Sequence, residues 1–342
     1  MPFRTGRERS HVAERIAVIG AAGFAGAVAA RILDRHPHFE LAAVQARSDV
    51  GERLDALYPQ HRVQMRLDDV GAASLDGFDA AVVALPHGAA AGVVADLRAK
   101  DIRVVDLSAD FRLGDRDTYT KWYGEHGAPE LFGTAAYGLP ELDRSGIVAA
   151  DIVACPGCYP TATLLAMAPL AKTGLVTGMV VDAKSGVSGA GRTPSRKTHF
   201  VSVAENVSAY GLDGHRHEPE MGEQLAKLGA PGSLVFLPHL VPLDEGELVS
   251  CYVDLAEPKD SDELLALFAE HYASEPFVEV TSESPGVKDV RETNLCRITV
   301  RAHSSGKVIV LSAIDNLWKG AAGQAVQCLN LMFGRPETEG LE

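Results

Sequence analysis

The stretch Cys155-Pro156-Gly157-Cys158-Tyr159-Pro160-Thr161 sets two thiols between an apolar run and a helical one. Ile152-Val153-Ala154 reads as the end of a buried strand, and Thr161 to Ala168 as a helix. Pro160 suits the first turn, where its missing N–H matters least. Cys158 is thereby expected at a strand-to-helix turn, beside free backbone N–H groups. Those groups and the helix dipole stabilise a thiolate. They equally stabilise an oxyanion formed by attack on a carbonyl. Three other readings stand beside this one. A cysteine next to an apolar strand is commonly a small buried hydrophobe. Cys-x-x-Cys also occurs in redox pairs and in zinc sites. A zinc site needs further ligands, and the chain has no second Cys-x-x-Cys. As the last strand residue, Cys155 is read as structural and Cys158 as reactive.

A reactive thiol needs a base. The run Tyr210-Gly211-Leu212-Asp213-Gly214-His215-Arg216-His217-Glu218-Pro219-Glu220 leads into a predicted helix from Pro219 to Leu228. Acidic residues open that helix, as the dipole favours. His-x-His is compatible with zinc, but no His-Glu-x-x-His accompanies it, and no metal is expected. The favoured reading pairs one histidine with Cys158 as base and nucleophile. His217 adjoins the helix and is preferred to His215. His199, His239 and His303 lack such a setting and read as structural.

These groups must be held by a scaffold, and the first half of the chain supplies a familiar pattern. Arg15 to Ile19 is a buried-strand pattern, Gly20-Ala21-Ala22-Gly23-Phe24-Ala25-Gly26 follows at once, and a helical run begins at Ala27. Glycines so placed allow a tight turn, close approach to a pyrophosphate and close helix–strand packing. The backbone from Gly20 through Ala22, Gly23 and Phe24 to Gly26 is the expected cofactor cradle. The second strand, Glu40 to Ala46, ends in Arg47-Ser48, without the carboxylate that normally binds the ribose 2′-OH of NAD. A guanidinium and a hydroxyl suit a 2′-phosphate, so NADP(H) is expected. Asp49 follows one residue later.

Further strands at Asp79–Leu85 and Ile102–Leu107 alternate with a helix from Ala89 to Lys100. This alternation predicts a Rossmann-type, doubly wound parallel sheet. His87 ends one strand, where ligands bind in such sheets. Arg112 lies beyond the other, placed either to grip a phosphate or carboxylate of the substrate or to pair with Asp106 or Asp110. Asp115 to Leu139 reads as an irregular crossing. After it come a strand at Met179–Lys184 and the loop from Ser185 and Gly186 through Ser188 and Gly189 to Arg192, suited to close approach of a ligand. Ser188 and Gly189 are expected toward the cofactor; Ser185, Gly186, Arg192 and Tyr210 toward the substrate. Strands at Ser233–Phe236, Leu248–Leu255, Cys296–Val300 and Val308–Leu311, with a helix from Ser261 to Tyr272 capped by Ser261, predict an α+β catalytic domain built on a mixed sheet. A long helix, Leu317 to Met332, is expected to return to the first domain, with Asn316 and Gln324 near the cofactor cleft.

The expected division is an arm at 1–14, a dinucleotide domain at 15–154 and 316–342, and a catalytic domain at 155–315 that also oligomerises. The chain has 342 residues, 46% hydrophobic and 23% charged, ordinary for a globular protein. Its net charge of −14 argues against nucleic-acid binding. No apolar stretch is long enough to span a bilayer. Met1 to Arg15 has no apolar core of a signal peptide. Five irregularly spaced cysteines fit a reducing cytoplasm rather than a disulfide framework.

Taken together, the motifs resemble those of the N-acetyl-gamma-glutamyl-phosphate reductases of arginine biosynthesis, within the semialdehyde dehydrogenase family. The resemblance rests on Gly20–Gly26, Leu107–Arg112, Cys155–Thr161, Lys184–Arg192, His215–Glu220, Pro238–Pro242 and Asp315–Val326, in the family's order over nearly the whole chain. It departs at Cys328, where an asparagine is usual, and in the N-terminal arm. The resemblance implies an NADPH-dependent, homo-oligomeric enzyme, dimer or tetramer, with a small-molecule substrate. Its nucleophile and base carry over to Cys158 and His217. An acyl phosphate is a good electrophile, so a thiolate displaces phosphate to give a thioester. Hydride from NADPH and loss of the thiol then give the aldehyde. A sister group reduces a carrier-linked alpha-aminoadipyl phosphate and shares much of the pattern. A thiol redox protein using Cys155 and Cys158 is the alternative from another class.

Overall fold

The computed structural model describes residues 13–71 and 74–342. The expected arm at 1–14 lies almost wholly outside the described residues; its last residue, Glu14, already begins the first strand. Two seven-stranded sheets organise the chain. The first has strands β1 (Glu14–Ile19), β2 (Phe39–Ala46), β3 (Asp68–Asp69), β4 (Ala80–Val83), β5 (Arg103–Asp106), β6 (Ala136–Tyr137) and β7 (Ile152–Ala154). Their order is β3-β2-β1-β4-β5-β7-β6, and every pair is parallel. Strand β4 is apolar and fully buried along its length, as a parallel strand covered on both faces must be. The order reverses at β1/β4, the switch point at which doubly wound sheets bind ligands.

The second sheet contains β8 (Val176–Ser185), β9 (Ser208–Ala209), β10 (Ser233–Leu240), β11 (Glu247–Leu255), β12 (Val278–Val280), β13 (Cys296–Ala302) and β14 (Val308–Ile314). It is mixed. Strand β8 runs parallel to β10 and antiparallel to β11, which is antiparallel to β14. Helices Cys158–Ala171, Glu218–Lys227 and Ser261–His271 build a core on it. Val180 and Val235, paired across β8 and β10, remain exposed.

The helix Cys158–Ala171 is the spine of this half. Every residue from Tyr159 onward is buried, because its sequence is apolar on all sides. Its first residue is therefore fixed by the packing of the whole helix. The C-terminal helix, Gly323–Met332, is buried throughout and joins the core of the first sheet, beside the helix Phe24–Asp34.

Three local expectations differ from the fold. Asp115–Leu139 contains a helix, Arg116–Tyr123, whose N-cap Asp115 accepts from the Thr118 N–H at 2.8 Å. Only Tyr119 of that helix is buried, so its apolar periodicity is too weak to read. The helix at Ser261 is capped by Asp260 in a capping box with Glu263, not by Ser261. The long helix after Leu317 begins as a π-helical turn, Trp318–Ala322. Within that turn Lys319 is buried and bonds Glu141 at 2.6 Å and Gln327 at 2.8 Å, and Gly320 lies against Cys158.

Candidate active site

Cys158 is the first residue of its helix, and Gly157, in an extended conformation, is the N-cap. The thiol is partly buried. Burial pushes it well above the ordinary thiol range, the neighbouring Glu247 carboxyl pushes it further, and the Tyr159 N–H opposes both. A Cβ on Gly320 would come within 2.7 Å of the Cys158 Cβ, so only glycine admits the thiol there.

The His217 ring lies against the same turn. A Cβ on Gly157 would meet its Nε2 at 2.5 Å. His217 caps the helix Glu218–Lys227, and its N–H donates to Nδ1 of His215 at 3.1 Å. His215 therefore carries its own proton on Nε2. Burial, and then Arg216, lowers His215 to about 4. Burial, His215 and Arg112 hold His217 well below the usual histidine range. Both rings are neutral near pH 7, the form that can accept a proton.

Glu220, one turn into that helix, ties the two ends of the site together. It accepts from Tyr137 Oη at 2.9 Å, from the Gly157 N–H at 3.2 Å and from Arg112 at 3.4 Å. Arg112 also donates to the carbonyls of Cys155 and Leu107, each at 2.7 Å. The guanidinium is thus buried and spent on the cysteine loop. Of the two roles read from the sequence, the structure favours the internal ion pair, but with Glu220 rather than Asp106 or Asp110. Those aspartates hold backbone N–H groups of their own.

A cleft of about 570 Å³ opens over Cys158 and His217, in the range of small-molecule sites. Ser185, Gly186 and Tyr210 line it, and so does Gly189, which was expected toward the cofactor. Tyr210 Oη bonds Tyr159 Oη at 3.1 Å. Arg196, Lys197 and Arg216 also face the cleft and, among the described residues, take part in no ion pair. These three cations were not singled out in the sequence. Arg216 stood in plain view between two histidines, but an arginine in a loop has no distinguishing local signal.

Ser188 accepts from Asn316 Nδ2 at 2.9 Å, and Asn316 Oδ1 accepts the Gly246 N–H at 2.7 Å. The pair holds the loop after β8 against the start of β11. Ser188 lines a second cleft, with Phe24 and Arg192, that runs to the glycine turn. Gly20 has φ +93°, and a Cβ there would strike the Ala84 carbonyl. The helix Phe24–Asp34 starts after Gly23, so its first N–H groups have no intrahelical acceptor. This cradle fits a dinucleotide pyrophosphate.

Arg192 was expected on the substrate. It lies instead at the dinucleotide end, bonding Asp49 at 2.5 Å and the Ala22 carbonyl at 3.4 Å. Arg192 and then Ser48 hold the Asp49 carboxyl below the usual carboxylate range. Arg47 is exposed and reaches the Ala89 carbonyl at 3.4 Å. Gln324 is fully buried and donates to Thr161 Oγ1 at 3.2 Å, behind the nucleophile helix rather than on either cleft. Because the helix is buried on every side, sequence position alone did not reveal which neighbour Gln324 meets.

Two family models match: "Semialdehyde dehydrogenase, NAD binding domain" over residues 15–150, and "Semialdehyde dehydrogenase, dimerisation domain" over residues 158–316. The two models together cover most of the chain and place it among the semialdehyde dehydrogenases. The crystal structure of aspartate semialdehyde dehydrogenase II from Vibrio cholerae, complexed with ASA, shares the fold, with a TM-score of 0.73 over 94% of this chain and 99% of that one, at 18% identity. Within this class the chain belongs to the N-acetyl-gamma-glutamyl-phosphate reductase family. It is 48% identical to the reductase of that name from Alkalilimnicola ehrlichii, over 96% of this chain and 97% of the relative. It is 46% identical to that from Desulforudis audaxviator, with the same coverage.

Proposed function

We propose that the chain reduces N-acetyl-glutamyl 5-phosphate to N-acetyl-glutamate 5-semialdehyde, with release of phosphate, in arginine biosynthesis. One observation carries the chemistry: a thiol at the start of a buried helix, with the His217 ring against its turn in one cleft. The Cys158 thiolate attacks the acyl carbon, the C–O bond to phosphate breaks, and a thioester remains. Helix N–H groups stabilise the oxyanion of that step. When bound, the nicotinamide cofactor supplies hydride. His217 handles the proton as the thiol leaves and the aldehyde forms. Arg196, Lys197 and Arg216 supply positive charge for the phosphate and carboxylate of the substrate. The dinucleotide domain spans 15–154 and 316–342 and the catalytic domain 155–315. The enzyme is a homo-oligomer, dimer or tetramer, acting in the cytoplasm.

The substrate is tested by phosphate-dependent NADP reduction with N-acetyl-glutamate semialdehyde, run against the adipate homologue. Higher kcat/KM with the glutamate compound is expected; preference for the adipate compound would overturn the assignment. A thiol redox pair gains no support, since Cys155 is fully buried and faces Cys328 in the first core.

NADPH is the proposed cofactor. Arg47 and Ser48 follow β2 and would suit a 2′-phosphate there, and Arg192 neutralises Asp49, the carboxylate that would otherwise repel it. Arg47→Ala should weaken NADPH by about ten- to hundredfold, the worth of one charge-assisted hydrogen bond, and leave NADH nearly unchanged. Steady-state kinetics with both cofactors measure this; equal use of NADH and NADPH by the unmodified enzyme would sink it.

A further inference from the structure

Glu247, the first residue of β11, is fully buried, and neither carboxyl oxygen has a hydrogen-bond partner. An unpartnered buried carboxyl is strongly disfavoured, so its location calls for a reason. Its neighbours in the sheet offer none. Ser185, opposite on β8, spends its hydroxyl on the Gly186 carbonyl, and Ile314, opposite on β14, is apolar. The strand start that carries the carboxyl packs against the helix headed by Cys158, and the carboxyl interacts with that thiol although neither oxygen makes a hydrogen bond. Besides Cys158, the titratable groups near enough to feel its charge are Tyr159 on the same helix, Tyr210 in the cleft and Cys296 on β13. Among the described residues no cation pairs with it. Burial therefore lifts the carboxyl to about 8, and it is mostly neutral near pH 7.

We propose that Glu247 is a second acid–base group of the site: as a carboxylate it takes the Cys158 proton from the buried side, and as the resulting carboxyl it donates O–H to the sulfur, both as nucleophile and as leaving group. The inference rests on the reading of Cys158 as the nucleophile. In the reactive state the pair holds one proton and one negative charge. With the proton on Oε, the charge lies on Sγ and the carboxyl donates O–H to sulfur. When the C–S bond forms and phosphate departs, sulfur loses its charge and the proton stays on Glu247. When the thiohemiacetal breaks, the C–S electron pair returns to sulfur and the same O–H receives it. His217, on the cleft side, remains free for the carbonyl oxygen. The division of labour is spatial: one acid–base group lies behind the sulfur and one over the substrate.

The test is the pH dependence of iodoacetamide alkylation at Cys158, followed by peptide mass spectrometry on the full-length protein. The other four cysteines are buried and do not compete. The unmodified enzyme should show two ionisations, one for each proton of the pair. Glu247→Gln and Glu247→Met should each show one. At pH 7 the methionine variant should alkylate about ten- to hundredfold more slowly, having lost a charge-assisted donor, with Glu247→Gln in between. Its kcat should fall in parallel while NADPH binding holds. If the methionine variant does not fold, the isosteric glutamine variant decides by the loss of one ionisation. Profiles identical to the unmodified enzyme would overturn the inference. Cys158→Ser separates the two readings: turnover surviving in it would remove the nucleophile, whereas a dead Cys158→Ser with unmoved Glu247 profiles would remove Glu247 alone.

Discussion

Cys158→Ser is expected to abolish turnover while NADPH still binds. The two atoms differ little in position but greatly in chemistry. A serine hydroxyl is far harder to ionise than a thiol, and the same helix start would have to supply the whole difference. The surroundings oppose ionisation, since burial already raises even the thiol. An oxygen ester, if it formed, would also accept hydride poorly, because oxygen donates into the carbonyl where sulfur does so weakly. The loss should be on the order of 10⁶-fold in kcat, as for removal of a nucleophile from a group that acts as a unit. The cofactor cradle is far along the chain, at Gly20 to Gly26, and the first-sheet core that holds it does not include Cys158. NADPH oxidation and NADPH fluorescence titration measure the two properties separately. Substantial residual turnover, or simultaneous loss of cofactor binding, would contradict the expectation.

What was legible in the sequence was local. The glycine turn between β1 and the helix Phe24–Asp34 can be read because strand, turn and helix are contiguous, and the turn demands a residue that tolerates φ +93°. The cysteine turn was readable for the same reason. Its partners were not, since each is set by packing between distant segments. Glu220 meets Arg112 across 108 residues of sequence, and Arg192 meets Asp49 across 143. Nothing in either neighbourhood announces the pairing. Arg192 sits in the glycine-rich loop after β8, and only the path of that loop decides which end of the cleft it reaches. Glu247 is the extreme case. A glutamate at the edge of an apolar strand reads as a solvated end residue, and the expected strand began one residue later, at Leu248. Its burial follows from β11 being flanked by β8 and β14 and covered by the nucleophile helix. The π-helical turn at Trp318–Ala322, whose Gly320 lies against Cys158, was equally invisible locally.

His217→Asn should slow the chemical step by about 10²- to 10⁴-fold, the usual contribution of a positioned general acid–base. The ring is neutral and buried, and its Nδ1 has no hydrogen-bond partner. Its Nε2 lies against the Gly157 backbone, one residue from the thiol. A ring so buried is a weak base until negative charge arrives, and the substrate phosphate and the nascent oxyanion bring that charge. His215 is less suited. Its Nδ1 already accepts the His217 N–H, so His215→Asn should act through position and to a smaller extent. The same depressed pKa has a consequence for stability. A histidine held neutral in the fold binds a proton more readily when unfolded, so the fold loses stability as pH falls below about 6.5. Removing His217 removes one such proton, and the asparagine variant should lose less thermal stability between pH 7 and pH 5 than the unmodified enzyme does. Single-turnover rates and melting temperatures across that range check both effects. If His215→Asn carries the large kinetic loss and His217→Asn does not, the base is the other histidine.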